Sequence, residues 1–243
     1  MEVFCLVFLT GDTHGEFERI EEFCEEYETT TDDVMVILGD AGINYYLNAR
    51  DIQEKERLSQ LNITLFCVHG NHEERPENVA DADYVEKDWH GGLVWVEEEF
   101  PNILFAKDGE IYDIALDGKT AIVIGGAYSV DKYYRISGGA PWFDSEQPDE
   151  TIKAYVETQL EKVNWKVDYV FSHTTPFSYM PHEEFLSNID QKTVDNSTEV
   201  WLDQIEKKLD YDRWYAGHFH TTKSMGKIQI LYEDYVELDS DWY

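Results

Sequence analysis

Short apolar runs alternate with segments of helical spacing along the chain. "VFCLVFL", residues 3 to 9, predicts a strand, and "EFERIEEFCEEYE" then places Phe17, Ile20, Phe23 (or Cys24) and Tyr27 along one face of a helix. "VMVILGD" predicts a second strand, residues 49 to 61 a polar helix, and "ITLFCVHG" a third strand. Such a series predicts parallel pairing with right-handed crossovers. The middle differs: residues 92 to 126 hold "GLVWVEEEF", "NILFAKDGEIYDIAL" and "KTAIVIGGAYSV", joined by Asp-Gly turns at 108 to 109 and 117 to 118. Those turns predict hairpins and a second, more antiparallel sheet. "DETIKAYVETQLEKV" predicts a helix with Asp149 as N-cap; a strand "VDYVFSH", a helix at 197 to 209, a strand "RWYAGHFH" and the closing "KIQILYEDYVEL" follow. No repeat or Pro/Gly-rich linker interrupts the 243 residues. The expectation is one α/β domain over 1–243, with two mixed sheets, flanking helices and an antiparallel central segment at about 92–130.

Composition agrees with a packed core, since 42% of residues are hydrophobic and 14% aromatic. The apolar N-terminus carries an acid and no basic flank, so it is read as a first strand, not a signal peptide or membrane span. Cys5, Cys24 and Cys67 have no metal-type spacing and are read as reduced thiols of a cytoplasmic protein. The 19 basic and 51 acidic residues leave a net charge of −32. That surface repels nucleic-acid phosphates and disfavours duplex binding. It does not exclude a phosphorylated substrate, because bound divalent metals reverse the field locally.

Candidate chemistry lies where apolar runs end. They break into "TGDTHGE" with Asp12 and His14, "LGDAG" with Asp40, "HGNHE" with Asn71 and His72, "FSHTTP" with His173, and "AGHFH" with His218 and His220. Any one of these is as easily a turn, a helix cap or a structural imidazole. In "GHFH", alternation along a strand would turn both rings to one face. The candidates named in them include five of the eight histidines beside two aspartates and an asparagine, where open α/β sheets place their sites.

The ordered set resembles the calcineurin-like metallophosphoesterase superfamily, whose pattern runs D-x-H, GD, GNH followed by D or E, H, then GH-x-H. The resemblance extends from Asp12 to His220. It implies two face-to-face sheets flanked by helices and a two-metal phosphoesterase. Asp12, His14 and His220 would bind one metal, Asn71, His173 and His218 the other, and Asp40 would bridge them. The implied cofactors are two divalent transition metals, manganese first, with iron, zinc or nickel as alternatives that also suit N/O donors. The implied reaction is in-line attack of a metal-bridging hydroxide on phosphorus, with His72 assisting the leaving group. His69 would face the other way, and His90 and His182 lie outside the pattern.

The departures matter as much. The protein Ser/Thr phosphatase branch reads GD-x-x-D-R-G, whose Asp orients the catalytic His and whose Arg grips phosphate. Here the chain reads "GDAGINYY", with Ile43 and Asn44 at those places. Glu73 alone matches that branch. Arg75 and Arg135 are the nearest arginines that could hold phosphate instead. The run "GGAYSVDKYYR", with Tyr128, Lys132, Tyr133 and Tyr134, is either an ordered loop with core aromatics or a substrate wall. The expected function is hydrolysis of a small or exposed phosphomonoester or phosphodiester. A nuclease of the same superfamily is disfavoured by charge, and a noncatalytic phosphate-binding scaffold by the intact ligand set.

Overall fold

A computed structural model describes residues 6–80, 82–114 and 118–238. Cys5, the start of the first predicted strand and Asp117 of the second Asp-Gly pair lie outside the described residues. The first three strands are β1 (Val7–Thr10), β2 (Val34–Ile37) and β3 (Thr64–Cys67), with α1 (Glu18–Tyr27) and α2 (Ala49–Leu58) between them. They pair in parallel, as the alternation predicts.

The central segment departs from the expectation of a sheet of its own. β4 (Tyr84–Trp89), β5 (Gly92–Glu97) and β6 (Ile103–Ala106) extend the first sheet, antiparallel to one another, and β6 lies parallel to β3. The β4–β5 hairpin turns at His90 and Gly91, inside a run too polar to announce a strand. Asp108-Gly109 is no hairpin turn either, because it carries the chain from β6 across to β7 (Ile111–Asp113) in the other sheet. β8 (Thr120–Ile124) pairs antiparallel with β7, the hairpin foreseen there.

The short helix α3 (Lys132–Gly138) precedes α4 (Glu150–Lys162), whose N-cap Asp149 accepts from the Ile152 amide at 2.8 Å. Next come β9 (Tyr169–Ser172), α5 (Ser197–Glu206), β10 (Arg213–Ala216), β11 (Lys223–Met225), β12 (Ile228–Ile230) and β13 (Tyr235–Glu237). Among the described residues the strands form a seven-stranded sheet, β13-β1-β2-β3-β6-β5-β4, and a six-stranded sheet, β11-β12-β10-β9-β8-β7. Both mix parallel and antiparallel pairs.

Strand parity explains the unbroken apolar runs. Leu9, Val36, Phe66 and Val68 of the first sheet share one buried cluster with Val123, Phe171 and Tyr215 of the second. Their sequence neighbours Phe8, Met35, Ile37 and Leu65 face outward onto Phe17, Ile20 and Phe23 beside α1. On the far side Ile122, Val170 and Trp214 pack on Val156 and Leu160 of α4 and on Trp201, Leu202 and Ile205 of α5. Each of these strands is therefore covered on both faces, the condition for a continuous hydrophobic run, whereas the edge strand β4 is largely exposed. The two sheets lie face to face between helices, and their C-terminal strand ends meet at one edge. Among the described residues no helix is long and apolar enough to cross a membrane.

Candidate metal centre

Five strand exits converge. After β1 comes Asp12, whose buried Oδ1 accepts from the His218 amide at 2.8 Å. Its Oδ2 faces the Nε2 atoms of His220 at 3.3 Å and His14 at 3.7 Å, yet is aligned for a hydrogen bond with neither. After β2 comes Asp40, whose Oδ1 accepts from the His72 amide at 2.7 Å. Its Oδ2 lies 3.6 Å from His173 Nε2 and 4.0 Å from His14 Nε2, between the two halves of the cluster.

The second sheet adds imidazoles. His173 Nδ1 donates to the Leu38 carbonyl at 2.8 Å, and its Nε2 is hydrogen-bonded to Asn71 Oδ1 at 2.8 Å. Asn71 is fixed in turn by its Nδ2, which donates to Ser129 Oγ at 3.0 Å. The His218 ring lies edge-on to His173 at 5.0 Å, and His14 Nε2 approaches His220 Nε2 to 2.9 Å. His218 and His220 do not share a strand face as the alternation predicts. β10 ends at Ala216, and both histidines sit beyond it.

The surrounding packing holds several of these residues in strained backbone. His14, Asp40, His218 and His220 have φ of 49°, 51°, 69° and 49°, a left-handed region that costs side-chain-bearing residues about 1–3 kcal/mol each. Gly70 lets the third exit pass close by, since a Cβ there would collide with Asp40 Oδ1 and its amide nitrogen. Glu73 braces the same turn, accepting from Gly70 N at 2.8 Å and Gly42 N at 3.3 Å.

The electrostatics suit a cation. Burial favours the neutral acid at Asp12, but His220, His173 and His14 outweigh it and hold the carboxyl below its usual range. At Asp40 burial is likewise overcome, chiefly by His173 and His72. Burial and the neighbouring His173 push His218 down to about 3, so its ring is a neutral donor. Burial and Asp40 push Glu73 up to about 8. Against burial, Asp40 and Asp12 raise the basicity of His173, and Asp12 raises that of His220, so positive charge is favoured among these rings. Clustered imidazoles, buried ionised carboxylates and the orphaned Asp12 Oδ2 are what a divalent cation satisfies. Three sets of side chains are close enough to share an ion: Asp12, His14 and His220; His14, Asp40 and His72; and Asp12, Asp40 and His173.

His72 stands at the rim. Its ring stacks on Tyr45 with centroids 6.2 Å apart and meets His14 edge-on at 5.2 Å. Burial, with Arg135 and His14, lowers its pKa below the ordinary histidine value, against the pull of Asp40 and Asp131. The carboxylate missing from "GDAGINYY" is not restored there. Ile43 is buried in the core, and Asn44 accepts from the Tyr84 hydroxyl at 2.9 Å. Instead Asp131, from the loop before α3, brings Oδ1 to 3.9 Å from His72 Nε2. That oxygen is buried without a hydrogen-bond partner.

The two arginines part company. Arg75 is turned away from the centre, its Nη1 paired with Asp108 Oδ2 at 2.5 Å and its Nε donating to Ser145 O at 3.2 Å. Arg135 is buried beside the centre, 3.6 Å from Asp131 Oδ1 and 3.4 Å from the Ser129 hydroxyl that holds Asn71, with Nη2 unpartnered. His69 is buried and faces Ser145 O at 3.3 Å, away from the cluster as expected. In "GGAYSVDKYYR", Tyr133 and Tyr134 are 73% and 80% exposed, so they are neither core nor wall. Tyr128 and Asp131 line the site instead. Sequence reading also passed over Arg50, whose guanidinium rests 3.6 Å above the Tyr46 ring in a cleft of about 310 Å³ beside His14 and His72. Nothing in its local sequence distinguishes Arg50 from the other surface arginines.

Comparison with known proteins agrees with this geometry. Residues 6–222 match the model of the calcineurin-like phosphoesterase family. No curated protein matches the chain significantly. Among solved structures, TT1561 of Thermus thermophilus superposes with a TM-score of 0.52 at 13% identity, over 95% of this chain and 89% of that one. A second crystal structure gives 0.51 at 14% identity, over 94% and 90%. Phosphopantetheinyl hydrolase of Mycobacterium tuberculosis aligns more loosely, at 0.40 and 13% identity over 96% and 89%. Likeness at these identities concerns the fold alone; the family match, covering most of the sequence and all five strand exits, places the chain in the calcineurin-like phosphoesterase family.

Proposed function

We propose that this chain hydrolyses a small or exposed phosphate ester, mono- or diester, at a dinuclear metal centre. Asp12, His14 and His220 would hold one cation, Asn71, His173 and His218 the other, and Asp40, lying between the halves, would serve both. One observation carries the reading: donors from five separate strand exits are gathered with a buried carboxylate oxygen of Asp12 left unsatisfied. Manganese suits this mixed donor set, as do iron, zinc and nickel. Two such cations, when bound, clamp phosphoryl oxygens and lower the pKa of a shared water.

The remaining work falls to the chain. Asp12 and Asp40 stay ionised and offset the cationic charge. His72, at the rim, donates a proton or hydrogen bond to the departing oxygen, its ring plane set by Tyr45 and His14. Asp131 takes the orienting place that Ile43 and Asn44 leave empty. The guanidinium of Arg135 stands behind Asp131 and adds positive charge on the phosphate side. The test is turnover of p-nitrophenyl phosphate and its bis ester by chelator-stripped protein reloaded with manganese. Hydrolysis of either supports the reading, preference for the bis ester assigns diesterase chemistry, and hydrolysis of neither favours a scaffold.

A further inference from the structure

A second and larger cleft, about 420 Å³, opens on the other flank of the centre. His14, Asp40, Asn71, His72, His218 and His220 border it on one side. The opposite wall comes from the segment between β9 and α5, which carries Met180, Phe185, Leu186, Ile189 and Val194 into the cleft. That wall is tied to the centre, because Phe185 stacks on Phe219, the residue between His218 and His220, at 6.2 Å and 17°. Leu186 is 58% exposed, and Val130 across the opening is 40% exposed. Apolar side chains left open to water beside a reactive centre mark a place for an apolar partner.

Charge narrows the occupant further. Away from the metal candidates, the charged side chains lining this cleft are Asp131, Glu184 and Glu199, and no Lys or Arg is among its described lining residues. The smaller cleft has Arg50. An anionic group in the larger cleft would meet Asp131 and Glu184, with the buried Glu199 only partly ionised, within a chain of net charge −32.

We propose that the larger cleft receives the organic arm of the ester and selects an apolar arm free of negative charge. This assignment rests on the reading of the centre as a phosphoesterase and adds the substrate class. The ester oxygen would sit by His72, with the arm lying along Phe185 and Leu186. Carboxylated or polyphosphate arms would be turned away.

Affinity for non-hydrolysable phosphonates, measured by calorimetry on manganese-loaded protein, separates this claim from catalysis. 1-Naphthylphosphonate should bind about tenfold tighter than phenylphosphonate, since the second ring adds buried apolar area. 4-Carboxyphenylphosphonate should bind more weakly than phenylphosphonate by a similar factor. Leu186→Ser, at an exposed position, should shrink the naphthyl advantage, and Glu184→Lys should rescue the carboxylated probe, with circular dichroism confirming that both variants fold. Equal affinities, a preference for the carboxylated probe, or no binding at all would overturn the assignment. If the predicted order holds while no ester is hydrolysed, the hydrolytic reading falls and the cleft assignment stands. If esters are hydrolysed while affinities are flat, only the cleft assignment falls.

Discussion

The two sheets reach the centre with different chemistry. The first supplies both carboxylates and the amide, Asp12, Asp40 and Asn71, together with His14 and His72. The second supplies only imidazoles, His173, His218 and His220. Anionic charge therefore comes from one layer and most of the imidazole nitrogen from the other. The cluster forms only when the layers pack through Val36, Val68, Phe171 and Tyr215. On the proposed reading, the oxygen side would supply the charge and the bridge, and the nitrogen side would complete the donor set of each ion.

The largest test removes charge from the first sheet. Asp40→Asn should abolish both metal occupancy and turnover, checked by elemental analysis and ester hydrolysis, and added manganese should not restore either. His72→Ala leaves the seven proposed ligands intact, so metal content should hold while turnover falls about 10²- to 10⁴-fold, and a loss of metal would make His72 a ligand instead. Esters with poor leaving groups should slow most, and equal slowing of all esters would remove the proton-donor role.

A loss on the nitrogen side should behave differently. The His220 side chain is 49% exposed at the edge, so His220→Ala should weaken metal binding about 10- to 100-fold by analogy with lost metal-site partners, and excess manganese should rescue turnover. Failure of that rescue would erase the distinction between the sheets. A smaller effect is expected at Asp131, whose charge raises the His72 pKa. Asp131→Asn should cost about tenfold in turnover of poor leaving groups. Its pH–rate profile should lose activity at lower pH than the wild type, because His72 must be protonated to donate.

The mildest prediction concerns stability. Burial pushes the Glu199 carboxyl up to about 7, against about 4.3 for an unfolded glutamate. Between those values the folded chain keeps a proton that the unfolded chain has released, so this residue's contribution falls as pH rises through the window. Glu199→Gln should therefore raise the urea midpoint of metal-free protein more at pH 8 than at pH 5. An equal change at both would deny the shift.

Much of the centre was readable in the sequence because its donors sit directly after buried strands, where residue type and spacing are visible together. Asp12, His14, Asp40, Asn71, His173, His218 and His220 are linked pair by pair into one cluster. What stayed hidden depends on long-range packing. The left-handed turns at four of those residues leave no mark in composition. The division of the central strands between two sheets depends on which edge β6 and β7 find, and parity cannot tell one edge from the other. Arg75 was claimed by Asp108, 33 positions away, and Asp131 reached His72 only through the path of its loop. The wall at Phe185 and Leu186 lies in a segment with neither strand nor long helix, where spacing carries no signal.

A centre assembled by two packed sheets, as proposed, should hold two ions. Manganese bound per chain, counted by elemental analysis after equilibrium dialysis of chelator-stripped protein, tests it most directly. Two ions are expected in the wild type, spin-coupled in the electron paramagnetic resonance spectrum, and none in Asp40→Asn. A wild type that binds no manganese, or two uncoupled ions unaffected by Asp40→Asn, would contradict it.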